Sequence, residues 1–454
     1  MNMTSQASVR IPGPSEDLEL GPLRGRPLAF LEEMAKRYGD AFSYRVEEWP
    51  VVVVSHPDAV ATVLRADVHS FTKERTPDHF MLRPLLGNGL LTSSGDEWRQ
   101  QRHALAPLFR PSDVSRFDTV ITEAAAALAA RWSGPEQGVV DVEGPLSSLT
   151  LEILVQAVFG RALHGVGSGF GSAVTDINSF IGRFRGSEVA HDPQAARSHK
   201  RYIDGANLVR GITNVLIDSF GHTNSASSAV FIARMRSLVE SKQGLHDQVL
   251  TLLMAGHETT AKTLLWSLHL LAEHPDQQAA VAAEAAAVGG GRALTSADLP
   301  ALSTSAAVVR EAMRLYPPVW LISRRARVDS RLAGYAVPAG TLVCLSPWLV
   351  HRDARWWPEP EKFRPERFGP GSARPGPFTY FPFGGGERVC VGQHLALLEA
   401  TLILSTVLAQ CVVEPASEAL PEPEALVTLR PRAGMPLRLR PRAGTGAGRT
   451  GTAA

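Results

Sequence analysis

The chain has 454 residues, with 46 Lys and Arg against 45 Asp and Glu, and 44% of its residues are hydrophobic. A formal net charge of +1 provides no excess of positive charge for binding phosphates, which excludes a nucleic acid as the main partner. This apolar content with so little net charge argues against disorder and is enough to build a large core.

The cellular compartment can be inferred from the cysteine count and the hydropathy of the chain. Three cysteines cannot form a disulfide framework, which indicates a reducing compartment. The first ten residues contain no apolar stretch, and the densest later one, residues 250–271, is interrupted by charged and imidazole side chains. We therefore expect a soluble, cytoplasmic protein with no membrane anchor.

Domain organisation is predicted from length and linkers. The length suggests three domains at about 150 residues each. However, no Gly- and Ser-rich linker divides the chain. We expect a flexible leader at residues 1–10, one domain at residues 11–440 and a disordered tail at residues 441–454.

Long helical patterns rich in Ala and Leu dominate the chain, and strand-like patterns are fewer, so the expected fold class is mostly α with small β-sheets. The predicted elements follow in chain order. They are a strand at 50–54, helices at 115–132, 147–159, 245–274 and 277–288, a hairpin at 331–345 turning at 338–340, an irregular Pro-rich stretch at 356–382, a helix at 393–410 and a hairpin at 426–439.

The first notable pair in the chain is Trp98 and Arg102, an indole N–H and a guanidinium four residues apart. Side chains with this spacing lie on one face of a helix. Taken alone, the pair is typical of an amphipathic surface helix.

The predicted helix at 245–274 contains the run Ala-Gly-His-Glu-Thr-Thr at residues 255–260. Gly and Thr are poor helix formers, and such conflicts occur at functional sites. If Thr259 faces a pocket, Glu258 is turned away from it by about 100°, toward solvent or a water chain, as a proton relay requires. The alternative is that Thr259 bonds its own helix backbone. The His-Glu pair at His257 lacks the second His of a zinc protease motif, since Ala261 occupies that position.

Glu311 and Arg314 place opposite charges three residues apart on one helix face. Such a pair is usually a solvated surface pair. Here its neighbours are apolar, and Pro317 and Pro318 end the helix directly afterwards.

Cys390 lies in Phe-Gly-Gly-Gly-Glu-Arg-Val-Cys-Val-Gly, residues 383–392, just before the predicted helix at 393–410. A helix N-terminus favours negative charge, which lowers the pKa of a thiol. Three successive glycines let the backbone turn tightly and approach a flat partner, and Arg388 can reach an anionic group on it. The alternative for an isolated cysteine is a small buried packing residue, which we expect for Cys344 and Cys411.

This decapeptide resembles the haem-binding loop of the cytochrome P450 family, Phe-x-x-Gly-x-Arg-x-Cys-x-Gly, in which Gly386 is the central fixed glycine. The resemblance implies that Cys390 is the axial thiolate ligand of the iron of haem b. It also implies that Arg388 is a propionate partner, Phe383 a packing residue near the sulfur and Gly392 the small residue under the ring. Thiolate ligation favours O–O cleavage.

Other segments resemble further motifs of the same family. Trp98 and Arg102 match the helix whose Trp and Arg bind a haem propionate. The resemblance also implies that Arg324 contacts a haem propionate. The adjacent Arg325 is the alternative for this contact.

Residues 255–260 resemble the family's acid–alcohol pair, which implies that Thr259 hydrogen-bonds dioxygen and Glu258 supplies protons. Glu311 and Arg314 resemble its Glu-x-x-Arg helix, and Arg367 lies in a matching Pro-Glu-Arg-Phe segment. Carried over, Glu311, Arg314 and Arg367 form a buried structural triad.

The resemblance implies the single-domain cytochrome P450 fold, with haem between the oxygen-activating helix and the helix after the cysteine loop. It implies a monomeric monooxygenase that uses O2 and two electrons from a ferredoxin and ferredoxin reductase, docked near Arg99, Arg364 and the Cys390 loop. Alternatives are a peroxide-driven or isomerising haem-thiolate enzyme and a non-catalytic haem-thiolate sensor.

The segments that resemble the family's pocket are apolar or aromatic, which predicts a hydrophobic substrate bound mainly by area and shape. We expect a terpenoid or a comparable natural-product intermediate, and the Arg-, Ala- and Gly-rich composition suggests bacterial secondary metabolism. The predicted pocket residues are Phe80, Met81, Leu85, Leu86, Leu90, Leu252, Ala255, Val319, Trp320, Leu321, Ile322 and Val427.

Overall fold

A computed structural model describes residues 10–19, 24–46, 49–134, 138–160, 167–183, 191–218, 226–237, 239 and 241–443. Most of the leader expected at 1–10 and of the tail expected at 441–454 therefore lies outside the described residues.

Helices form most of the described structure, as predicted, because long segments carry apolar side chains at helical spacing. The predicted helix at 393–410 has the bounds expected, whereas the one at 115–132 begins three residues later, after a 3-10 turn. The helices are α1 Pro27–Tyr38, α2 Pro57–Ala61, α3 Pro77–Leu86, α4 Gly95–Leu105, α5 Asp118–Trp132, α6 Glu143–Phe159, α7 Gly167–Arg183, α8 Pro193–Asp218, α9 Ala226–Arg236, α10 Lys242–Glu273, α11 Pro275–Gly289, α12 Ser303–Leu315, α13 Pro347–Val350 and α14 Gln393–Gln410.

The strands form one five-stranded sheet and three smaller ones. The strands are β1 Ala41–Val46, β2 Trp49–Val54, β3 Phe71–Thr72, β4 Val139–Asp141, β5 Ile322–Ala326, β6 Ser330–Leu332, β7 Tyr335–Val337, β8 Leu342–Leu345, β9 Cys411–Pro415, β10 Pro423–Ala425, β11 Leu429–Pro431 and β12 Pro436–Pro441.

The five-stranded sheet has the order β1-β2-β8-β5-β3, and β2 and β8 pair in parallel whereas the other neighbours are antiparallel. The four successive valines of β2 are all buried, as is typical of a strand covered on both faces. The smaller sheets are β4-β12-β9, β10-β11 and β6-β7.

Both predicted hairpins are wrong. In the first, β6 and β7 turn at Ala333 and Gly334, which have positive φ, and not at residues 338–340. The next strand, β8, instead joins the five-stranded sheet. In the second, β11 pairs with β10 and β12 pairs with β9 and β4. Local alternation predicted these strands but not their distant partners.

The longest helix, α10, is buried on nearly all sides and runs through the main core between α6, α12 and α14. Ser241 caps its start by accepting a hydrogen bond from the Gly244 N–H, at 3.0 Å. Near its other end, the Trp266 ring stacks on Tyr316 with 3.9 Å between centroids. None of the helices in the described ranges combines the length and apolar character that crossing a membrane requires.

Glu399 on α14 is a carboxyl group in this core. It is 4% exposed, and its Oε1 atom is buried without a hydrogen-bond partner. Burial raises the pKa of Glu399 to about 8, so the folded protein keeps this carboxyl protonated at neutral pH. In the unfolded chain the same group ionises near its ordinary pKa of 4.5.

We expect Glu399→Gln to stabilise the protein at neutral pH. Because the folded pKa is raised, Glu399 costs stability as pH rises from 4.5 toward 8. At about 1.4 kcal/mol for each pKa unit, the gain at pH 7 is about 3 kcal/mol and disappears near pH 4. Urea denaturation of both proteins across this range measures it, and a gain that does not change with pH would contradict the assignment.

Candidate active site

The cysteine loop is shaped by glycine. Gly386 has a φ of +66°, and a Cβ there would lie 1.7 Å from the carbonyl oxygen of Leu64, so another residue cannot fit. The Cys390 N–H donates to the Phe383 carbonyl at 2.9 Å and closes the loop. Gly392 then caps the start of α14. The loop backbone thus places Cys390 directly before α14.

Cys390 is exposed, whereas Cys344 and Cys411 are buried, as expected for packing residues. The expected net lowering of the Cys390 pKa is wrong. Surrounding protein atoms raise the pKa of this thiol, and the opposing effects of the Gly392 N–H and the Arg102 charge are smaller. A coordinated metal ion, in contrast, deprotonates a thiol outright.

Arg388 and Arg102 hold the cysteine loop against the segment around α4. The Arg388 guanidinium lies over the Trp98 ring, 4.3 Å from its centroid, and donates to the Ser93 carbonyl at 2.8 Å. Arg102 donates to the Val389 carbonyl at 2.6 Å. The structure therefore brings three of the predicted cofactor-binding residues together at the loop.

Arg324 joins this group, and so does Lys73, which the sequence reasoning missed. Burial, together with the smaller effects of the Arg324 and Arg388 charges, lowers the pKa of Lys73 to about 8 against the opposing charge of Asp78. Burial lowers the pKa of Arg324 to about 10, against the opposing charge of Asp78. Lys73 lies in no motif. The one sequence signal that could have drawn attention to it is that lysine is rare in this arginine-rich chain, which has only six.

Arg325 points elsewhere. Its guanidinium lies over the Trp49 ring, 4.8 Å from the centroid. Successive residues of a strand point to opposite faces, so Arg324 and Arg325 of β5 face different ways. The side-chain placement therefore favours Arg324 over Arg325 as a contact for an anionic ligand.

These residues fit a haem. Cationic side chains that lower one another's pKa are stabilised by an anionic partner, which two propionates would supply. A Cβ at Gly392 would meet no protein atom within 4 Å, so the backbone offers a flat approach beside the sulfur. A single thiolate suits an iron whose other ligands come from its own macrocycle.

On α10, Thr259 and Glu258 point in different directions. The Thr259 hydroxyl donates to the Ala255 carbonyl at 3.0 Å, the backbone bond weighed as an alternative above. Glu258 is buried and does not face solvent, which corrects that part of the expectation. Its carboxylate accepts hydrogen bonds from the Asn178 amide and, at 3.0 Å, from the Thr428 hydroxyl.

Two neighbours on α10 have packing roles. The His257 ring is fully buried, its Nδ1 lies 2.5 Å from the Leu253 carbonyl, and burial lowers its pKa. A Cβ at Gly256 would approach Leu154 on α6 to 2.9 Å, so this glycine allows close helix packing. Ala255, one residue earlier, is exposed.

Glu311, Arg314 and Arg367 meet in the interior. Arg314 donates to both Glu311 carboxylate oxygens at 2.8 Å, and Arg367 donates to one of them at 3.3 Å. Glu311 and Arg314 have no exposed surface. Arg314 also donates to the carbonyls of His351 and Pro360, so it ties α12 to the segments that precede the cysteine loop.

The predicted pocket residues do not share one environment. Phe80 is 55% exposed, with its ring edge-on to Trp49. Trp320 and Leu321 pack against the five-stranded sheet, and the Trp320 indole donates to the Leu426 carbonyl at 2.8 Å. Leu85, Leu86 and Leu252 are buried in the main core, whereas Met81, Leu90, Val319, Ile322 and Val427 are half-buried and Ala255 is exposed.

A cavity of about 580 Å³ lies between α3, α8 and α10. Six of its nine described lining residues are polar or charged, including Arg210, Lys242 and Asp247, and Leu85 is the only predicted pocket residue among the nine. Neither Cys390 nor Thr259 lines it, so its size does not mark the reaction site.

A helical fold with an exposed cysteine thiol before α14 and half-buried cations beside it defines the haem-thiolate class. The family model for cytochrome P450 matches residues 17–436, so the chain belongs to the cytochrome P450 family. It is a monooxygenase of that family. It is 32% identical to cyclooctatin synthase of Streptomyces melanosporofaciens, over 89% of this chain and 90% of the relative.

Two further relatives are similar over most of their lengths. Cyclooctat-9-en-7-ol 5-monooxygenase of Streptomyces melanosporofaciens is 30% identical over 86% of both chains. Pentalenene oxygenase of Streptomyces avermitilis is 29% identical over 89% of this chain and 90% of the relative.

Proposed function

We propose that this P450 monooxygenase binds haem b through Cys390 and oxidises a terpenoid or a similar hydrophobic natural-product intermediate. The observation that carries the proposal is the exposed Cys390 thiol beside a cluster of half-buried cations. Residues 11–440 then form one domain, because the segments that carry Trp98 and Cys390 meet at one cofactor.

Haem with a thiolate ligand supplies O2 activation and O–O cleavage. Cys390 provides the ligand, and Trp98, Arg102, Arg324 and Arg388 would hold the propionates, with Lys73 as an added contact. Phe383 packs near the sulfur, and the Gly386 and Gly392 backbone gives the ring room.

Thr259 and Glu258 are the residues proposed to handle the protons that the reaction consumes. The Thr259 hydroxyl is half-buried beside exposed Ala255, so it can leave the Ala255 carbonyl and donate a hydrogen bond to O2. Glu258 holds the proton that the reaction consumes. Glu311, Arg314 and Arg367 are structural and fix the segments leading to the cysteine loop.

The substrate class is supported by apolar residues and by the names of the relatives. Ala255, Leu90, Val319, Ile322 and Val427 offer partly exposed apolar surface, which binds ligands by area. Relatives at about 30% identity are named for cyclooctatin, cyclooctat-9-en-7-ol and pentalenene.

Two electrons would come from a ferredoxin and ferredoxin reductase in the cytoplasm, with the enzyme acting as a monomer. Arg99 and Arg364 are exposed on the proposed docking face. Each already pairs with an exposed acid, Arg99 with Asp96 and Arg364 with Glu359 at 2.7 Å. An acidic redox partner that docks here would replace these intramolecular ion pairs with pairs between its own carboxylates and the two arginines.

The substrate proposal is tested by spectral titration of the purified haem protein. We expect cyclic terpenes such as pentalenene to shift the iron from low to high spin, because an apolar ligand displaces water near the haem. Fatty acids and polar sugars of similar size are the comparison ligands. A shift with polar ligands and none with terpenes would contradict the proposed substrate class.

A further inference from the structure

Lys262 on α10 is a buried cation between two carboxylates. Its Nζ atom donates to Glu143 Oε1 at 2.6 Å and lies 4.0 Å from Glu258 Oε1. The Lys262 side chain is 3% exposed. A buried ammonium is costly unless it is paired, so this position indicates a specific arrangement.

Glu258 is held from three sides. Asn178 on α7 donates to Oε2, Thr428 in the loop between β10 and β11 donates to Oε1, and Lys262 lies one helical turn further along α10. The Glu258 side chain is only 8% exposed. These contacts hold the carboxylate in the protein interior, out of direct contact with solvent.

Glu143 is the outer end of this chain of groups. It is the first residue of α6, and its side chain is 18% exposed, the most accessible of the three. A helix N-terminus stabilises its negative charge. The three groups therefore run from the protein surface to Glu258 without passing the cysteine loop.

We propose that Lys262 and Glu143 deliver protons from solvent to Glu258, a role that rests on the proposed function of Glu258. The Lys262 ammonium gives one proton to the Glu258 carboxylate. The Glu143 carboxylate then takes up one proton from solvent and passes it to the Lys262 amine, which restores the ion pair. The net change is one proton moved from solvent to Glu258. Asn178 and Thr428 are positioning residues that hold the acceptor oxygens in place.

The test compares Lys262→Met, Lys262→Arg and Glu143→Gln in the haem protein. The assay uses a surrogate ferredoxin, its reductase and the terpene that gives the largest spin-state shift. We expect Lys262→Met to raise the hydrogen peroxide released per electron pair several-fold and to enlarge the solvent deuterium isotope effect. Glu143→Gln should give a smaller change in the same direction. Lys262→Arg keeps the positive charge but cannot release a proton, so it should not restore the loss, and full rescue by Lys262→Arg would contradict the proton route.

Asp204→Asn is the matched control, because it breaks the exposed Lys200–Asp204 pair at 2.9 Å. It should leave both readouts unchanged. A double-mutant cycle on urea unfolding is independent of turnover and should show coupling between Lys262 and Glu143. If the pair is only structural, the cycle will show coupling but Lys262→Met will have the same solvent isotope effect as the unmodified protein. That result would overturn the proton route. Absence of coupling would overturn the pairing itself.

Glu258→Gln distinguishes the proposed role of Glu258 from the proposed proton route through Lys262 and Glu143. If it releases peroxide whereas Lys262→Met behaves as the unmodified protein, the proton route is wrong and the role of Glu258 stands. If Glu258→Gln itself remains coupled, the proposed role of Glu258 is wrong, and the inference about Lys262 falls with it.

Discussion

Replacing Cys390 by serine is expected to abolish monooxygenation while the protein still folds. The loop is closed by the Cys390 N–H bond to the Phe383 carbonyl, which serine preserves, and the hydroxyl is close in size to the thiol. A serine hydroxyl does not provide the electron-donating thiolate on which O–O cleavage depends. Turnover with the surrogate ferredoxin system should therefore fall below detection, and haem content and thermal unfolding show whether the cofactor and fold remain.

The other two cysteines are the controls for this experiment. Cys344→Ser and Cys411→Ser change buried side chains and should alter stability without removing activity. Retained turnover in Cys390→Ser, or complete loss in a folded Cys344→Ser protein, would contradict the assignment of the ligand.

The second large effect is expected for Glu311→Gln. This change keeps the size of the side chain but leaves Arg314, which has no exposed surface, and Arg367 without a carboxylate. Removing one partner from a buried ion pair costs about 3–5 kcal/mol of the free energy of unfolding. Urea denaturation of the haem protein measures this loss.

The comparison variant is Glu422→Gln, which breaks the exposed Arg432–Glu422 pair at 3.0 Å. Exposed pairs contribute about 0–1 kcal/mol, so this change should be close to neutral. Equal effects of Glu311→Gln and Glu422→Gln would show that burial of the triad contributes nothing to stability.

The sequence predicted best what depends on short segments. The bounds of α14 follow from Gly392 and the apolar run after it, and the structure has the same bounds. The loop around Cys390 was recognisable because its residues occur within ten positions. The Glu311–Arg314 pair needs only three residues and one helix turn.

Contacts between distant segments were not predictable in this way. Asn178 and Thr428 meet Glu258 from 80 and 170 residues away, and neither lies in a recognisable pattern. Lys73 joins Arg324 and Arg388 only after three segments have packed together. The pKa of Cys390 depends on how many atoms surround the thiol, so its position before a helix predicted the wrong direction.

The absorption spectrum of the reduced, CO-bound protein tests the central claim most directly. A haem held by the Cys390 thiolate should give the strongly red-shifted Soret band that requires this ligand, and Cys390→Ser should lose it. A protein that binds haem but shows the unshifted band of a neutral ligand, or one whose Cys390→Ser variant keeps the shifted band, would contradict the account.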